Sequence, residues 1–483
     1  MYLWLLLAGT VYGFLMGLIP GAGVTTALVV VMAIMPPFIS DPYAGIVFLT
    51  ATVAACAIGD NFSSVLLGIP GSSNTAASMF DGYPMTRNGQ GARALSICVA
   101  DGAFSGLLWG GLAFCLLPVY SKVVMFFGIP ELAILMLSAL ACVVLVGGPS
   151  PFKAVIGVAI GAYAGLIGQN PGTGVPRLTM GSEYLEAGVQ VLPFVAGMFG
   201  IPELLGRRLA PQSHPLRFSS YREQTKQGLV DCVRHWRDVL RGGFIGFITG
   251  LLPGVGGSIG ELLAYGATVA RHPAETFGNG NPLGLLGIEG ANSAQKASSL
   301  VPALLFGIPV APFAAIMMAI CTQLGVELGS PHVLEDKRFL FLLAASFISA
   351  GLLVFAICLF ANKFIVYVLK IPYPIFAGAI IATIVYSCMQ YTGMIADVYM
   401  LVACTAVGII CKKLAIPRAA TLIAFIVISR LETYVGQMVQ LYTLAEVLSR
   451  PIVLAGLGSV ATLLAWRFAK KRTLSPLPES LGG

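Results

Sequence analysis

Charged residues are scarce in this sequence. Only 10% of its 483 residues are Asp, Glu, Lys or Arg, against about 25% in an ordinary soluble domain. By contrast, 57% of the residues are hydrophobic, and the mean hydropathy is +0.87. This composition excludes a soluble globular protein and predicts a chain that crosses a membrane many times.

Residues that commonly carry catalysis or bind metals are also rare. The four histidines do not form His-Glu-x-x-His or another metal-binding spacing, and no Gly-x-x-x-x-Gly-Lys-Ser/Thr phosphate loop is present. The ten cysteines are scattered without a Cys-x-x-Cys pair, as expected of small packing residues. We therefore expect no enzyme, no ATP hydrolysis, no cofactor and no metal site beyond a Na⁺ that would serve as coupling ion.

Basic residues are concentrated in one segment. Residues 207–241 carry eight Lys and Arg against three Asp and Glu, a net charge of +5. By the positive-inside rule this linker lies in the cytoplasm, and the basic residues near 467–472 place the C-terminus there too. A basic loop between membrane segments is the ordinary topological signal, so no nucleic acid is expected as a partner. The apolar start has no basic n-region and is interpreted as a first membrane segment.

Glycine and proline interrupt the apolar runs at matched positions. Residues 13–23 (GFLMGLIPGAG) match residues 246–256 (GFITGLLPGVG), and residues 67–70 (LGIP) recur as residues 306–309 (FGIP). Paired breaks at corresponding places in two halves are typical of the binding site of a secondary transporter. The sequence predicts an all-α polytopic membrane protein of two inverted repeats with discontinuous, re-entrant helices and about 10–14 membrane segments.

The predicted organisation follows from the breaks and the linker. The first membrane half is residues 1–206, the linker is 207–241, the second half is 242–470 and a tail covers 471–483. Between the breaks, a turn is predicted at residues 81–85 (DGYPM), a loop at 169–177 and a polar excursion at 271–296. Further spans are predicted near residues 95–118, 121–147, 151–168, 187–206, 339–361, 374–389, 397–411, 415–429 and 451–467.

The breaks also predict an anion site. A helix that restarts inside the membrane presents free N–H groups and the positive end of its dipole, which suits a carboxylate. Residues 72–75 (SSNT), directly after Pro70 and Gly71, suit the start of a new helix, where they can cap free N–H groups. Hydroxyl and amide side chains beside the breaks also add neutral donors, and we expect the four breaks to surround the anion near the bilayer midplane. The candidate substrate ligands at the breaks are Gly21, Gly23, Thr25, Thr26, Ser72, Ser73, Asn74, Thr75, Gly254, Gly256 and Ser258.

Polar residues within the apolar segments extend this site. A charge near the bilayer centre is costly unless it faces a cavity or a partner. The polar candidates are Asp60, Asn61, Glu261, Glu289, Asn292 and Lys296. Of these, Asp60, Asn61, Glu289 and Asn292 are the candidates for the coupling ion. Residues 289, 292, 293 and 296 share one helical face, on which Asn292 and Lys296 are also candidate substrate ligands.

Two simpler interpretations stay open for the charged residues. Glu289 and Lys296 would then neutralise each other at the membrane surface, and Glu261 would be an interfacial residue.

Several of these motifs occur together in one known family. They are residues 17–23 (GLIPGAG), 68–71 (GIPG), 81–85 (DGYPM), 91–95 (GARAL), 174–177 (GVPR), 252–257 (LPGVGG), 264–266 (AYG), 289–292 (EGAN) and 307–309 (GIP). In this order they resemble the large membrane subunit of the tripartite tricarboxylate transporters. The resemblance implies a multi-pass permease of the bacterial inner membrane that imports a tricarboxylate or dicarboxylate. It also implies a periplasmic solute-binding protein and a small membrane subunit as partners, and a sodium or proton gradient as driving force.

The resemblance also implies which residues form the site. They are the turns at Gly21/Gly23 and Gly254/Gly256, residues 72–75, and Glu289 with Asn292. The chain departs from the family pattern at Asn170, Val310 and Lys296, where an acidic residue, a glycine and a small residue are usual. An added cation at Lys296 indicates a different carboxylate or a changed charge requirement for the coupling ion.

Two other functions remain open, namely an anion channel that uses the same half-helix ends as a filter and a polytopic enzyme acting on a lipid or a quinone. A homodimer is also left open by the sequence.

Overall fold

Helices dominate the architecture. The computed structural model describes residues 1–35, 38–68, 70–72, 74–117, 119–120, 126–146, 150–170, 173–205, 221–253, 256–368 and 373–473. Within these ranges the only strands are β1 (Gly168–Gln169) and β2 (Pro176–Arg177), which pair antiparallel as a short hairpin.

The helices before the linker are α1 (Tyr2–Leu18), α2 (Gly23–Ile34), α3 (Pro42–Leu67), α4 (Met79–Arg87), α5 (Gly91–Cys115), α6 (Ile129–Val146), α7 (Pro151–Leu166), α8 (Glu183–Glu186) and α9 (Val191–Leu205). From the linker onward they are α10 (Tyr221–Arg234), α11 (Trp236–Leu251), α12 (Gly256–Arg271), α13 (Ile288–Phe306), α14 (Pro312–Gln323), α15 (Pro331–Glu335), α16 (Lys337–Val368), α17 (Tyr373–Tyr391), α18 (Ala396–Lys413), α19 (Arg418–Leu441), α20 (Leu444–Ser449) and α21 (Pro451–Thr473).

Several helices have the length and composition of membrane spans. In the described part of the chain, four helices are long and apolar enough to cross a bilayer: Pro42–Leu67, Gly91–Cys115, Lys337–Leu359 and Arg418–Leu441. Shorter apolar helices such as α1, α2 and α14 accompany them. The prediction of an all-α polytopic membrane protein is confirmed.

The predicted breaks end helices in two ways. Ile19 and Leu252, each followed by proline, are extended at the ends of α1 and α11, with ψ of 117° and 120°, because a residue before proline avoids the helical region. Gly68 and Gly307 end α3 and α13 in the left-handed region, with φ of 64° and 63°, where glycine is favoured. The first break therefore separates α1 from α2, as the sequence predicts.

Glycines at every fourth position let two pairs of helices approach closely. Gly9, Gly13 and Gly17 of α1 lie against the backbone of residues 48, 52 and 56–60 of α3. Gly242, Gly246 and Gly250 of α11 meet residues 287, 291 and 295 in the same way. Within each pair the two helices run parallel, since contacts advance together along both chains. Small residues at such spacing are a common means of packing membrane helices.

The pair α1 and α3 runs in the opposite direction to the pair α11 and α13 where the two pairs meet. Gly82 lies between Val65 of α3 and Leu285, just before α13, whereas Asn292 further along α13 meets Asp60, earlier in α3. Helices α3 and α13 are therefore antiparallel. This is the local arrangement that inverted repeats require, although the division of the whole chain into two inverted halves stays a prediction.

One predicted turn is wrong. Residues 81–85 lie inside α4, which continues through Pro84. Asp81 accepts hydrogen bonds from the backbone N–H groups of Gly278, Gly280 and Asn281, so this carboxylate fixes the distant loop before α13. The DGYP motif thus orders a tertiary contact, which short-range turn preferences do not report.

The described part of the linker is helical. Arg93 of α5 forms an ion pair of 2.7 Å with Asp231 of α10, and Gly228 packs against Ser96. Residues 206–220 lie outside the described residues.

The predicted polar excursion at 271–296 is shorter than expected. It ends before Ile288, because α13 begins there and is buried.

Candidate functional site

Asp60 lies at the centre of a buried polar cluster. It belongs to α3 and is fully buried, although an isolated charge at such a place is costly. Its Oδ2 accepts a hydrogen bond from Ser72 Oγ at 2.8 Å, and its Oδ1 accepts one from Asn292 Nδ2 at 3.3 Å. The carboxylate therefore joins α3, the loop after α3, and α13.

The loop after α3 folds back onto its own helix. Gly71 packs directly on the backbone carbonyl of Asp60, and its N–H donates to Ser64 Oγ at 3.1 Å. The hydroxyl of Thr75 accepts from Ser64 Oγ at 2.7 Å and from the Ser72 N–H at 3.2 Å. These hydroxyls satisfy the loop backbone and position Ser72 next to Asp60.

The predicted start of a membrane helix at residues 72–75 is wrong. The structure forms a single 3-10 turn there, Asn74–Ala76, and α4 begins at Met79. The loop presents side-chain hydroxyls to the cluster in place of a long helix N-terminus. Ser73 lies outside the described residues.

The first break meets the second. Gly21 and Gly23 have φ of 79° and 54°, and a Cβ on Gly23 would lie 2.9 Å from that of Ser72. Thr25 and Thr26 follow in the first turn of α2, where Thr26 is buried and Thr25 is half-buried. Two predicted breaks thus converge beside Asp60.

The other two breaks are placed differently. The carbonyl of Pro253 accepts a hydrogen bond from Cys142 Sγ at 2.9 Å, Gly256 is the first residue of α12 and Ser258 lies in its first turn. Gly254 lies outside the described residues. Gly307 is eleven residues beyond Lys296 on α13, about 16 Å at 1.5 Å per residue, and it meets Gly329 and Arg430. The fourth break is therefore not part of the cluster around Asp60.

The predicted polar face of α13 is present and points inward. Glu289, Asn292, Ser293 and Lys296 are at most 3% exposed. Lys296 Nζ donates to Asn292 Oδ1 at 2.5 Å, and Ser78 Oγ donates to Glu289 Oε1 at 2.5 Å. An interpretation of Glu289 and Lys296 as surface residues that neutralise each other is wrong, because both are buried and no ion pair joins them in the described structure.

Asn61 lies one residue after Asp60 and is 2% exposed. Its Nδ2 donates to the carbonyl of Ala57 at 3.2 Å, and the same carbonyl accepts from Asn292 Nδ2 at 2.9 Å. Its Oδ1 has no hydrogen-bond partner among the described residues. Of the coupling-ion candidates, Asp60, Asn61 and Asn292 therefore lie together at one level of α3 and α13.

Two further acidic residues lie in this region. Glu261 of α12 is 1% exposed, so it is enclosed by the protein; its interpretation as an interfacial residue stays a prediction. Asp101 of α5 is fully buried and accepts from the N–H of Gly287 at 2.7 Å, which caps the start of α13. Asp101 lies inside the apolar span predicted at 95–118. A carboxylate at such a place is rare, and this is the sequence signal that could have identified it.

The cluster offers groups of both signs in a buried setting. Lys296 and the hydroxyls and amides are donors, whereas Asp60, Glu261 and Glu289 are acceptors when ionised. The described residues contain no group of three or more His, Cys, Asp or Glu side chains arranged to hold a metal ion. The cluster is therefore equipped for an anion beside Lys296 and for a cation or proton beside the carboxylates.

A separate cavity of about 750 Å³ lies near the hairpin, away from this cluster. Arg177 on its wall donates to both carboxylate oxygens of Glu432, and this hydrogen bonding raises the pKa of Arg177. Asn170 Nδ2 also donates to Glu432 Oε1 at 2.8 Å. Arg177 Nε donates to the carbonyl of Leu166 at 2.7 Å, so the predicted loop at 169–177 is fixed to α7 and α19.

Comparison with known proteins identifies the family. The model of the tripartite tricarboxylate transporter TctA family matches residues 3–423. This chain belongs to that family. It is 29% identical over 432 residues to an uncharacterized 52.8 kDa protein of the TAR-I ttuC' 3' region of Agrobacterium vitis, a match that covers 88% of this chain and 84% of the relative.

A second relative is the uncharacterized protein of the TAR-II ttuC' 3' region of the same organism. It is 28% identical over 227 residues, which cover 46% of this chain and 93% of the relative. No solved structure matches the chain. As a TctA family member, the protein is a membrane component of a tricarboxylate transporter, and the resemblance inferred from the motifs is confirmed.

Proposed function

We propose that this chain is the permease subunit of a binding-protein-dependent secondary transporter, and that it moves a tricarboxylate or dicarboxylate through the cluster around Asp60 and Lys296. The family supports a periplasmic solute-binding protein and a small membrane subunit as partners. The bacterial inner membrane is the proposed location, with the basic linker and the C-terminus in the cytoplasm.

Lys296 is the observation that carries this proposal. It is 2% exposed, and its ammonium group has three donors. One of them bonds Asn292 Oδ1, and in the described structure no carboxylate forms an ion pair with it. Because a buried ammonium with unused donors is costly, a carboxylate of the substrate is the natural partner for this cation.

The surroundings of Lys296 fit a transported anion. The cluster lies where α3 and the loop after it meet α13, and the first break packs against Ser72 of that loop. Broken helices at a repeat interface are the usual setting of a transporter site. Ser72 and Thr75 provide hydroxyls on the facing side. An ion gradient is proposed to drive uptake, with Asp60, Glu289 and Asn292 next to the anion.

Uptake by reconstituted complex tests this function. The purified complex in proteoliposomes, supplied with its solute-binding protein, is expected to take up labelled citrate or succinate when an inward sodium or proton gradient is imposed. Lys296→Met is expected to raise KM for the transported anion at least tenfold, because it removes the buried cation. Lys337→Met is the matched control, since Lys337 is exposed and far from the cluster.

Three results would oppose the proposal. Wild-type affinity in Lys296→Met would remove Lys296 from the site. Flux that needs neither the binding protein nor a gradient would indicate an anion channel. A complex that releases a chemically altered product without any gradient would indicate an enzyme.

A further inference from the structure

Glu261 is a buried carboxyl group of the cluster to which the proposed function assigns no role. It lies on α12 and is 1% exposed. Neither of its carboxylate oxygens has a hydrogen-bond partner among the residues that the structure describes. A buried carboxylate is normally paired or hydrogen-bonded, so this side chain requires a ligand that the protein does not provide.

The charged groups around Glu261 are predominantly acidic. It lies within electrostatic reach of Glu289 and Lys296 on α13 and of Asp60 on α3. The neighbouring helix α11 carries Asp238 and Arg241 at its linker end, where Asp238 pairs with Arg271 and His272 of the α12 region. Tyr265 on α12 itself donates to Asp81. With Glu261 itself, three carboxyl groups therefore share this region with one lysine.

This balance disfavours three ionised carboxylates. Like charges in a buried site cannot all remain ionised, and one of the groups then holds a proton. Asp60 accepts hydrogen bonds from Ser72 and Asn292, and Glu289 accepts one from Ser78. Because those donors stabilise the ionised forms of Asp60 and Glu289, Glu261 is the group left to bind the proton.

We propose that Glu261 is a proton-binding carboxyl group of the transport site, protonated while it is buried as in this structure and deprotonated when the site opens to water. One proton adds to a carboxylate oxygen of Glu261 from the aqueous phase on one side of the membrane. It leaves to the aqueous phase on the other side after the site opens there. This inference deepens the proposed function and rests on it in one respect, since the proton is the coupling ion only if the chain transports an anion.

The opposite charges of the anion and the proton couple their binding. An incoming carboxylate adds negative charge beside Lys296, which makes loss of the proton from Glu261 less favourable. Binding of the anion and binding of the proton therefore support each other, and this effect is reciprocal. The two would cross the membrane together, as in a symporter.

Infrared spectroscopy tests the protonation directly, without any transport. In the purified full-length chain, the C=O stretching band of a protonated carboxylic acid is followed as pH is varied. The wild type is expected to show this band near neutral pH, where exposed carboxyl groups are ionised. Glu261→Gln is expected to lose one carboxyl group's share of the band, whereas Glu275→Gln, at an exposed position, keeps it.

Transport in proteoliposomes tests the coupling. Glu261→Gln is expected to unfold in detergent at the wild-type temperature or above, which shows that it folds, and to lose accumulation of citrate or succinate driven by a pH gradient. Glu275→Gln should accumulate the anion like the wild type.

The infrared and transport assays together distinguish a wrong role for Glu261 from a wrong proposed function. An unchanged carboxylic acid band in Glu261→Gln, or unchanged pH-driven accumulation, would overturn the assignment of the proton to Glu261. Wild-type accumulation that follows only a sodium gradient would overturn it as coupling group. A wild-type complex that moves no carboxylate, but whose infrared band is lost in Glu261→Gln, would instead refute the proposed function and keep the protonation.

Discussion

The side-chain amide of Asn292 joins two groups of opposite charge. It donates to Asp60 Oδ1 at 3.3 Å through Nδ2, and it accepts from Lys296 Nζ at 2.5 Å through Oδ1. A neutral group is thus interposed between a carboxylate and an ammonium. Because the amide separates Asp60 from Lys296, the ammonium group stays available to an anion. A direct ion pair with Asp60 would occupy it.

Asn292→Ala is therefore expected to weaken anion binding. Without the amide, Asp60 and Lys296 are free to pair directly, and this pairing would compete with the anion for the ammonium group. A loss of about 1.4 kcal/mol in binding corresponds to roughly a tenfold rise in KM. The measurement is concentration-dependent uptake by the reconstituted complex. Gln295→Ala is the control, since Gln295 is also buried on α13 but its amide donates to Ser299. Equal effects of the two variants would contradict the role of Asn292.

The sequence predicted the pieces of this site better than their assembly. The polar face of α13 and the first break follow from local periodicity and from Pro20, and both are present. The burial of Glu261 could not be predicted, because its environment depends on α13 and the loop after α3, which are distant in sequence. The loop itself was misjudged because Ser64 and Thr75 satisfy its backbone, an arrangement that helix-start preferences do not contain.

The matched glycines are expected to be equally intolerant of a side chain. A Cβ on Gly13 would lie 2.4 Å from the carbonyl oxygen of Thr52, and a Cβ on Gly246 would lie 2.2 Å from that of Ala291. Gly13→Ala and Gly246→Ala should each lower the unfolding temperature in detergent, since helix backbones in contact must separate. A melting curve measures this.

Gly266→Ala is the control for this pair, because Gly266 is also helical and a Cβ there meets nothing within 4 Å. It should leave the unfolding temperature unchanged or raise it slightly, since alanine is the better helix former. Tolerance of Gly246→Ala at the level of this control would contradict the close packing of α11 on α13.

Asp336 directly precedes α16 and is expected to make the free energy of unfolding depend on pH. Its pKa is lowered, chiefly by a hydrogen bond from the backbone N–H of Phe339 and also by one from the hydroxyl of Tyr43. A lowered folded-state pKa means that the ionised side chain stabilises the fold above the unfolded value of about 4 and loses this contribution as pH falls below it. Asp336→Asn should therefore lower the unfolding temperature at neutral pH, with a difference from the wild type that persists down to about pH 4 and shrinks as pH falls below it. A difference that is constant with pH would contradict this assignment.

The contact between the first two breaks is expected to be essential for transport. A Cβ on Gly23 would lie 2.9 Å from the Cβ of Ser72, whose hydroxyl donates to Asp60. Gly23→Ala should displace Ser72 and reduce uptake more than tenfold. Part of its effect is backbone strain, because Gly23 has a positive φ of 54°, which costs a residue with a Cβ roughly 1–2 kcal/mol.

Gly89→Ala separates that strain from the clash. Gly89 also has a positive φ, 78°, but a Cβ there meets nothing within 4 Å. Both variants should lose stability through strain, and only Gly23→Ala should lose uptake when equal amounts of folded complex are compared. If uptake falls equally in the two variants, the displaced contact with Ser72 is not the cause. A second change, Ser72→Ala in the Gly23→Ala background, should then add little to the loss already caused by Gly23→Ala, because the hydrogen bond to Asp60 is absent in both.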